Sequence, residues 1–340
     1  MASTSSAAQS AYVTNFGSNT VSVIRLSDNA VTATVGVGTG PRGVVVAPGG
    51  AFAYVANQNS GSVSVIRTSD DTVTATVTVG AGPQGVTVTP NGVFAYVANF
   101  NSSTISVIRT SDNAVTATVP VGAAPFGVGV TPDGSRVYVA NSGAGTVSVI
   151  RTSDNAVVAT VTVGSSPRGV AVTPDGAFVY VANLNSNTVS VIRTSDNVVT
   201  ATVAGLSLPY GVAATPDGAR MYVANFGGGV SVIRTSDNVI TATVGAGSSP
   251  LGVAVTPDGS RVYVANFNSA NVSVIRTSDN VVTATVAAGT NPAGFGRFVS
   301  PVASPPASVP TLSTWATILM ALLLAGGAVL IVQRRYAVCS

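Results

Sequence analysis

The chain has 340 residues and a formal net charge of +3, with 15 Arg, 12 Asp and no His, Lys or Glu. Arg334 and Arg335 sit in the tail, so the remainder is near neutral and offers no electrostatic footprint for nucleic acid. Most general acid–base and metal chemistry lacks its usual side chains here, and Cys339 stands alone, so the composition predicts no enzyme, no metal, no cofactor and no disulfide framework.

Residues 1–10, Met-Ala-Ser-Thr-Ser-Ser-Ala-Ala-Gln-Ser, contain neither a basic nor an apolar stretch. They are expected to be unstructured and are not a signal peptide. From 11 to 300 one unit recurs seven times. Its marker is Tyr-Val-Ala-Asn, with the Asn at Asn15, Asn57, Asn99, Asn141, Asn183, Asn225 and Asn266, a spacing of 42 residues that shortens to 41 at the last step. Each copy continues Val-Ser-Val-Ile-Arg or a close variant and ends on Arg25, Arg67, Arg109, Arg151, Arg193, Arg234 or Arg276. No repeat has a helical hydrophobic period. Short β-type segments at this spacing predict an all-β fold, a seven-bladed β-propeller with one blade per repeat.

The copy from Pro167 to Gly205 shows the unit. Gly169–Thr173 is an apolar strand A, and Pro174-Asp-Gly176 a turn. Phe178–Asn183 is strand B, and Leu184–Asn187 a loop. Thr188–Arg193 is strand C, with Val189 and Val191 on one face. Thr194–Asn197 is a second turn, since Asp and Asn tolerate the left-handed region. Val199–Val203 alternates apolar residues with Thr, as an outer strand with one wet face should. The array begins at a strand B, Ala11–Asn15, without a strand A before it. It ends on a lone degenerate strand A, Gly294–Ser300. These two parts are expected to pair and close the ring.

The repeated words Tyr-Val-Ala-Asn, Ser-Val-Ile-Arg-Thr-Ser-Asp-Asn, Val-Thr-Ala-Thr-Val and Gly-Val-Ala-Val-Thr-Pro-Asp-Gly resemble the YVTN-type β-propeller repeat, and residues 12–15 read Tyr-Val-Thr-Asn. That family is similar to surface-layer proteins of archaea and to exported bacterial propellers. The resemblance implies the fold and an extracytoplasmic setting, and no activity.

Comparison of the copies separates two faces. The A–B turns, mostly Thr-Pro-Asp-Gly, and the C–D turns, mostly Thr-Ser-Asp-Asn, are nearly constant. The residue after the Pro of the D–A loop varies through Arg42, Gln84, Phe126, Arg168, Tyr210, Leu251 and Ala293. The residue after the strand-B Asn varies through Phe16, Gln58, Phe100, Ser142, Leu184, Phe226 and Phe267. These loops emerge on one face, around the pore. Arg42, Gln84, Phe126, Arg168, Tyr210, Leu251, Phe16, Phe100, Phe226 and Phe267 are therefore the candidate ligand residues, because aromatics and Arg suit recognition. Drift on surface loops would give the same variation. The seven Arg-x-x-Asp pairs, Arg25 with Asp28 through Arg276 with Asp279, read as surface ion pairs of little worth. The strand-B Asn amides are expected to satisfy loop backbone groups. No Asp ladder of the calcium-loop type occurs.

After Val299 the composition changes. Residues 301–311 are a Pro/Ser linker running into a motif, 312–333 an apolar segment, and 334–340 a basic tail. Trp315 to Val332 is uncharged and at 1.5 Å per residue just spans a bilayer core, and Arg334 and Arg335 place the tail in the cytoplasm with the propeller outside. The words Val309-Pro310-Thr311-Leu312-Ser313-Thr-Trp315, a helix and Arg-Arg resemble the IPTL-type C-terminal sorting signal of Gram-negative bacteria, with Val309 for Ile and Thr314 for Glu. That resemblance implies processing by an exosortase-type membrane enzyme. It also requires prior export, so a start upstream of Met1 is expected; the alternative is a tail anchor with the propeller in the cytoplasm.

The expected function is a non-enzymatic surface or matrix propeller that meets envelope polysaccharide or a surface protein. The alternatives are an adhesin using the variable face, and a lactonase-like hydrolase or lyase, disfavoured for want of His and Glu.

Overall fold

Residue type sets burial strand by strand. The β-branched residues of Val-Ser-Val-Ile and the Tyr-Val-Ala-Asn run are buried on both faces in strands C and B. The Thr-rich strand D buries only its last Val. A blade is thus a sheet that is dry at its middle and wet at its outer edge.

The computed structural model describes residues 9–301, and it holds six four-stranded antiparallel sheets and one of three strands. Blades one to six begin at Pro41, Pro83, Pro125, Pro167, Pro209 and Pro250 and run A-B-C-D. Blade seven has strands B, C and D at Ser10–Asn15, Thr20–Arg25 and Val31–Gly36. Its strand A comes from the far end of the propeller, as expected. Tyr12 N–H donates to Phe298 O at 2.7 Å, Ala293 N–H to Thr14 O at 2.7 Å and Ser300 N–H to Ser10 O at 2.9 Å. Isolated bridges Ala11–Val299 and Asn15–Pro292 mark the same ladder.

The core lies between blades. One cluster joins Tyr54, Val63, Val65 and Val77 of blade one to Val86, Val88, Ala95, Val97 and Ile108 of blade two. Comparable layers recur around the ring. Polar clasps cross the same seams on the A–B/C–D side, here called the turn face. The Tyr138 hydroxyl donates to Asn197 Oδ1 of the next blade at 2.9 Å, and Tyr96, Tyr180, Tyr222 and Tyr263 do the same with Asn155, Asn238, Asn280 and Asn29. Tyr12 donates to Asp71, which stands where the other copies have Asn. These turn residues adopt φ near +55 to +60°, which Asn and Asp tolerate.

At the axis the blades meet through glycine. A Cβ on Gly127 would lie 2.0 Å from Arg168 O, and one on Gly43, Gly85, Gly169, Gly211 or Gly252 would clash in the same way with the following blade. The strand-B asparagines depart from expectation. Their Nδ2 groups donate to strand-C hydroxyls, Asn57 to Ser62 and Ser64 at 3.2 and 2.9 Å, instead of to loop backbone. The register of Tyr-Val-Ala-Asn against strand C puts those hydroxyls nearer than any loop group. The seven Arg–Asp pairs form at 2.5–2.6 Å with both partners about half exposed.

The expected membrane helix at 312–333, the linker beyond 301, the sorting motif and the tail lie outside the described residues. Among the described residues no helix is long and apolar enough to cross a membrane.

Candidate functional site at the channel mouth

Strand A starts at Pro and runs from the D–A loop towards the turn face. The residue after each Pro therefore stands at the mouth of the central channel, and the residue after each strand-B Asn stands just outside it. Phe126, Tyr210, Leu251, Ala293 and Phe295 converge on the axis as a buried cluster. The Phe126 ring meets Tyr210 edge-on at 5.5 Å and Phe295 at 5.3 Å. The half-buried Phe100, Leu184, Phe226 and Phe267 pack around it. The variable residues are thus a plug and its collar, where the sequence suggested independent loop positions. Beneath the plug lies a cavity of about 20 Å³ lined by Gly and Val of the inner strands, room for about one water.

Two cations stand over this apolar floor. The Arg168 guanidinium lies 4.3 Å from the Phe126 ring centre and 5.6 Å from that of Tyr210. Its Nε is buried without a hydrogen-bond partner. Arg42 lies 4.5 Å over Phe16, and its Nε donates to Gln58 Oε1 at 2.6 Å. Gln84 is buried beside them with its Oε1 unpaired. Burial pushes the Arg168 pKa down; the Tyr210 phenol opposes that, and the like charge of Arg42 adds to it. Burial raises the Tyr210 pKa, while Arg42 and Arg168 pull it back, so the phenol keeps its proton and can donate. All 12 Asp of the chain sit in A–B and C–D turns, on the opposite face. No acid therefore neutralises the mouth, and the arrangement favours an incoming anion.

The turn face also has a groove, beside Asp133, Arg136 and Asp175. Its polar groups are already used: Asp133 accepts from Thr131 and Ser135, and Arg136 donates to Thr194 O. Among the described residues no three His, Cys, Asp or Glu side chains gather as a metal site.

Sequence reasoning named Arg42, Gln84, Phe126, Arg168, Tyr210 and Leu251 and the outer Phe16, Phe100, Phe226 and Phe267, and the fold brings all of them to this face. It did not name Phe295 as the plug's centre or Gln58 as the partner of Arg42. Phe295 was signalled by the irregular Gly-Phe-Gly-Arg-Phe of the last strand, which breaks the Gly-Val-x-Val pattern.

Residues 68–200 match the family model of the lactonase, seven-bladed β-propeller, and residues 307–335 match the IPTL-CTERM motif. No curated protein matches. Among solved structures, the hydrazine synthase of Kuenenia stuttgartiensis is similar at 26% identity and a TM-score of 0.72, over 78% of this chain and 92% of that one. A candidate 6-phosphogluconolactonase of Bacteroides fragilis is similar at 19% identity and a TM-score of 0.73, over 86% and 98%. A protein of unknown function from Desulfotomaculum acetoxidans is similar at 18% and 0.73, over 84% and 99%. The last two share the fold.

These findings correct one expectation. The composition argued against an enzyme, but the lactonase match falls on this scaffold and covers Phe126 and Arg168. Lack of His and Glu therefore does not exclude an enzymatic propeller. The chain is a seven-bladed β-propeller followed by an IPTL-type sorting motif.

Proposed function

We propose that the protein is a propeller of the cell envelope that captures an anionic sugar, bearing a carboxylate or a phosphate, at its channel mouth. The observation that carries this reading is the pair Arg42 and Arg168 over an aromatic floor, with the Arg168 Nε unpaired and no acid on that face. A guanidinium matches the planar geometry of a carboxylate or phosphate edge, and sugar C–H faces pack well on Phe rings. The buried plug closes the axis, so the ligand rests on a shallow dish and does not enter a tunnel. The C-terminal motif supports delivery to the envelope by an exosortase-type enzyme.

Calorimetric titration of the full chain tests this. Oligogalacturonate and 6-phosphogluconate are the two anionic probes, and a neutral oligosaccharide is the control. Binding should weaken with salt and fall about tenfold or more in Arg168→Ala and Arg42→Ala. Equal binding of the neutral control, or no loss in both variants, would overturn the reading.

A second reading is supported by the family match over 68–200, which covers Arg168 but not Arg42 or Tyr210. The two cations hold the acid group of a sugar lactone, and a solvent water adds to the lactone carbonyl. The ring C–O bond breaks, and the leaving oxygen takes a proton from Tyr210, which the attacking water's proton restores. Consumption of a lactone above the uncatalysed rate, lost in Arg168→Ala and Tyr210→Phe, is its expected sign. A rate equal to buffer alone sinks it and leaves capture intact.

A further inference from the structure

The outermost strand of every blade leaves one edge unpaired among the described residues. These seven rim strands read Val-Thr-Ala-Thr-Val at 31–35, 73–77, 115–119, 199–203 and 282–286, with Val158 for one Thr and Ile240 for one Val in the other two. None carries a charge, the chain has no Lys, and Pro120 is the only Pro among them. Proteins normally protect such edges with Lys, Pro, cover or bulges. Apart from Pro120, only bulges are present among the described rim strands, where the ladder to strand C slips, as between Val65 and Ile66. Uncharged segments rich in β-branched residues are the kind that pair with their own copies.

The sequence of the rim is also a palindrome. When two such strands run antiparallel with their central Ala residues opposed, Val meets Val and Thr meets Thr at every position. A two-fold axis through that pair sets the two propellers in opposite orientations. The mouth of one, with Arg42 and Arg168 and no acid, then lies on the side of its partner's turn face. That face carries all 12 Asp against eleven Arg, namely the seven of strand C with Arg136, Arg220 and Arg261, and Arg297 at the turn-face end of the returning strand, level with Val46. Strand pattern and composition therefore agree on one occupant.

We propose that the rim is a self-association surface, on which a second copy of this chain adds its outer strand antiparallel to a Val-Thr-Ala-Thr-Val edge. Each contact is a single short strand and is weak alone. Several rim strands per molecule let the contacts multiply where copies are concentrated.

Sedimentation velocity of the full chain between about 1 and 100 μM tests the idea. The wild-type coefficient should rise with concentration. Thr76→Lys combined with Lys at the six equivalent exposed rim threonines should hold the protein at the monomer value, and the matching Thr→Ser set should still associate. A wild-type protein that stays monomeric throughout overturns the proposal, as does a folded lysine variant that associates as strongly. Register is read separately by Ala75→Cys in a Cys339→Ser background. It should form an intermolecular disulfide with its own kind under mild oxidation, while Thr72→Cys, away from the two-fold, should not. Equal cross-linking of the two overturns the antiparallel pairing.

Discussion

Residue 71 is the place where the chain departs from its own clasp. The other C–D turns end on Asn, whereas Asp71 accepts the Tyr12 hydroxyl at 2.8 Å. Burial raises the Asp71 pKa, the Tyr12 hydrogen bond lowers it, and neighbouring Asp70 raises it again. A carboxyl whose folded pKa lies above its unfolded value favours the fold only while protonated. That advantage is present below about pH 4 and is lost as pH rises through the folded pKa. Asp71→Asn keeps an acceptor for Tyr12 and removes the half-buried charge. It should raise Tm at pH 7, by about 0.5–1 kcal/mol of stability, and change little near pH 3.5. An identical gain at both pH values would show that charge is not the cause. The Tyr hydroxyls offer a matched pair. Tyr138→Phe should cost about 1 kcal/mol because Asn197 loses its donor. Tyr54→Phe should cost almost nothing, since Asn113 Oδ1, its counterpart across the next seam, has no hydrogen-bond partner. Denaturant melts of the two variants side by side read the difference, and equal costs would remove the clasp from the account.

At the scale of the strand, the inner Gly of Pro-x-Gly decides how tightly blades meet. Gly127→Ala would place a methyl 2.0 Å from Arg168 O, a rigid backbone atom, and should cost about 2–3 kcal/mol. Gly49→Ala, where the new Cβ meets nothing within 4 Å, is the control and should be neutral. A Gly127→Ala protein as stable as the control would mean that the inner strands can separate without penalty. The carbonyl in question belongs to a mouth residue, so a shift here also moves the Arg168 backbone. These elements mark what a sequence reader can and cannot see. Strands, turns and the seven-fold count were legible because each follows from local alternation and a fixed period. The mouth residues were legible as positions that vary, since loop direction follows from strand order. Their convergence into a plug was not, because it depends on Phe295 arriving from the opposite end of the propeller. The Tyr–Asn clasps join residues 58 or 59 apart, and 234 apart for Tyr263 with Asn29, with no pattern inside one repeat to announce them. The Asn amides were placed on the wrong partner because loop backbone and strand-C hydroxyls are equally near in sequence.

At the scale of the ring, closure rests on a residue that also departs from the repeat. Tyr-Val-Thr-Asn replaces Tyr-Val-Ala-Asn only in blade seven. The Thr14 hydroxyl donates to Arg42 O at 2.6 Å and accepts from Gly294 N–H at 3.0 Å, in a fully buried position. It therefore ties three strands together at the junction where the last strand A is irregular: its own, the returning one and the first of blade one. An Ala at this position would remove the Thr14 acceptor of Gly294 N–H and leave Arg42 O with only the long bond from Phe295 N–H at 3.5 Å. Thr14→Val keeps the shape and removes both bonds, so it should cost about 2–3 kcal/mol. Every blade buries its apolar faces against two neighbours, so loosening one seam weakens the support of the whole ring. Scanning calorimetry of Thr14→Val should accordingly give one transition at a lower temperature. A split endotherm, with a small early peak for blade seven alone, would instead mean that the blades unfold in turn. Closure would then act as a local latch, not as the condition for the ring.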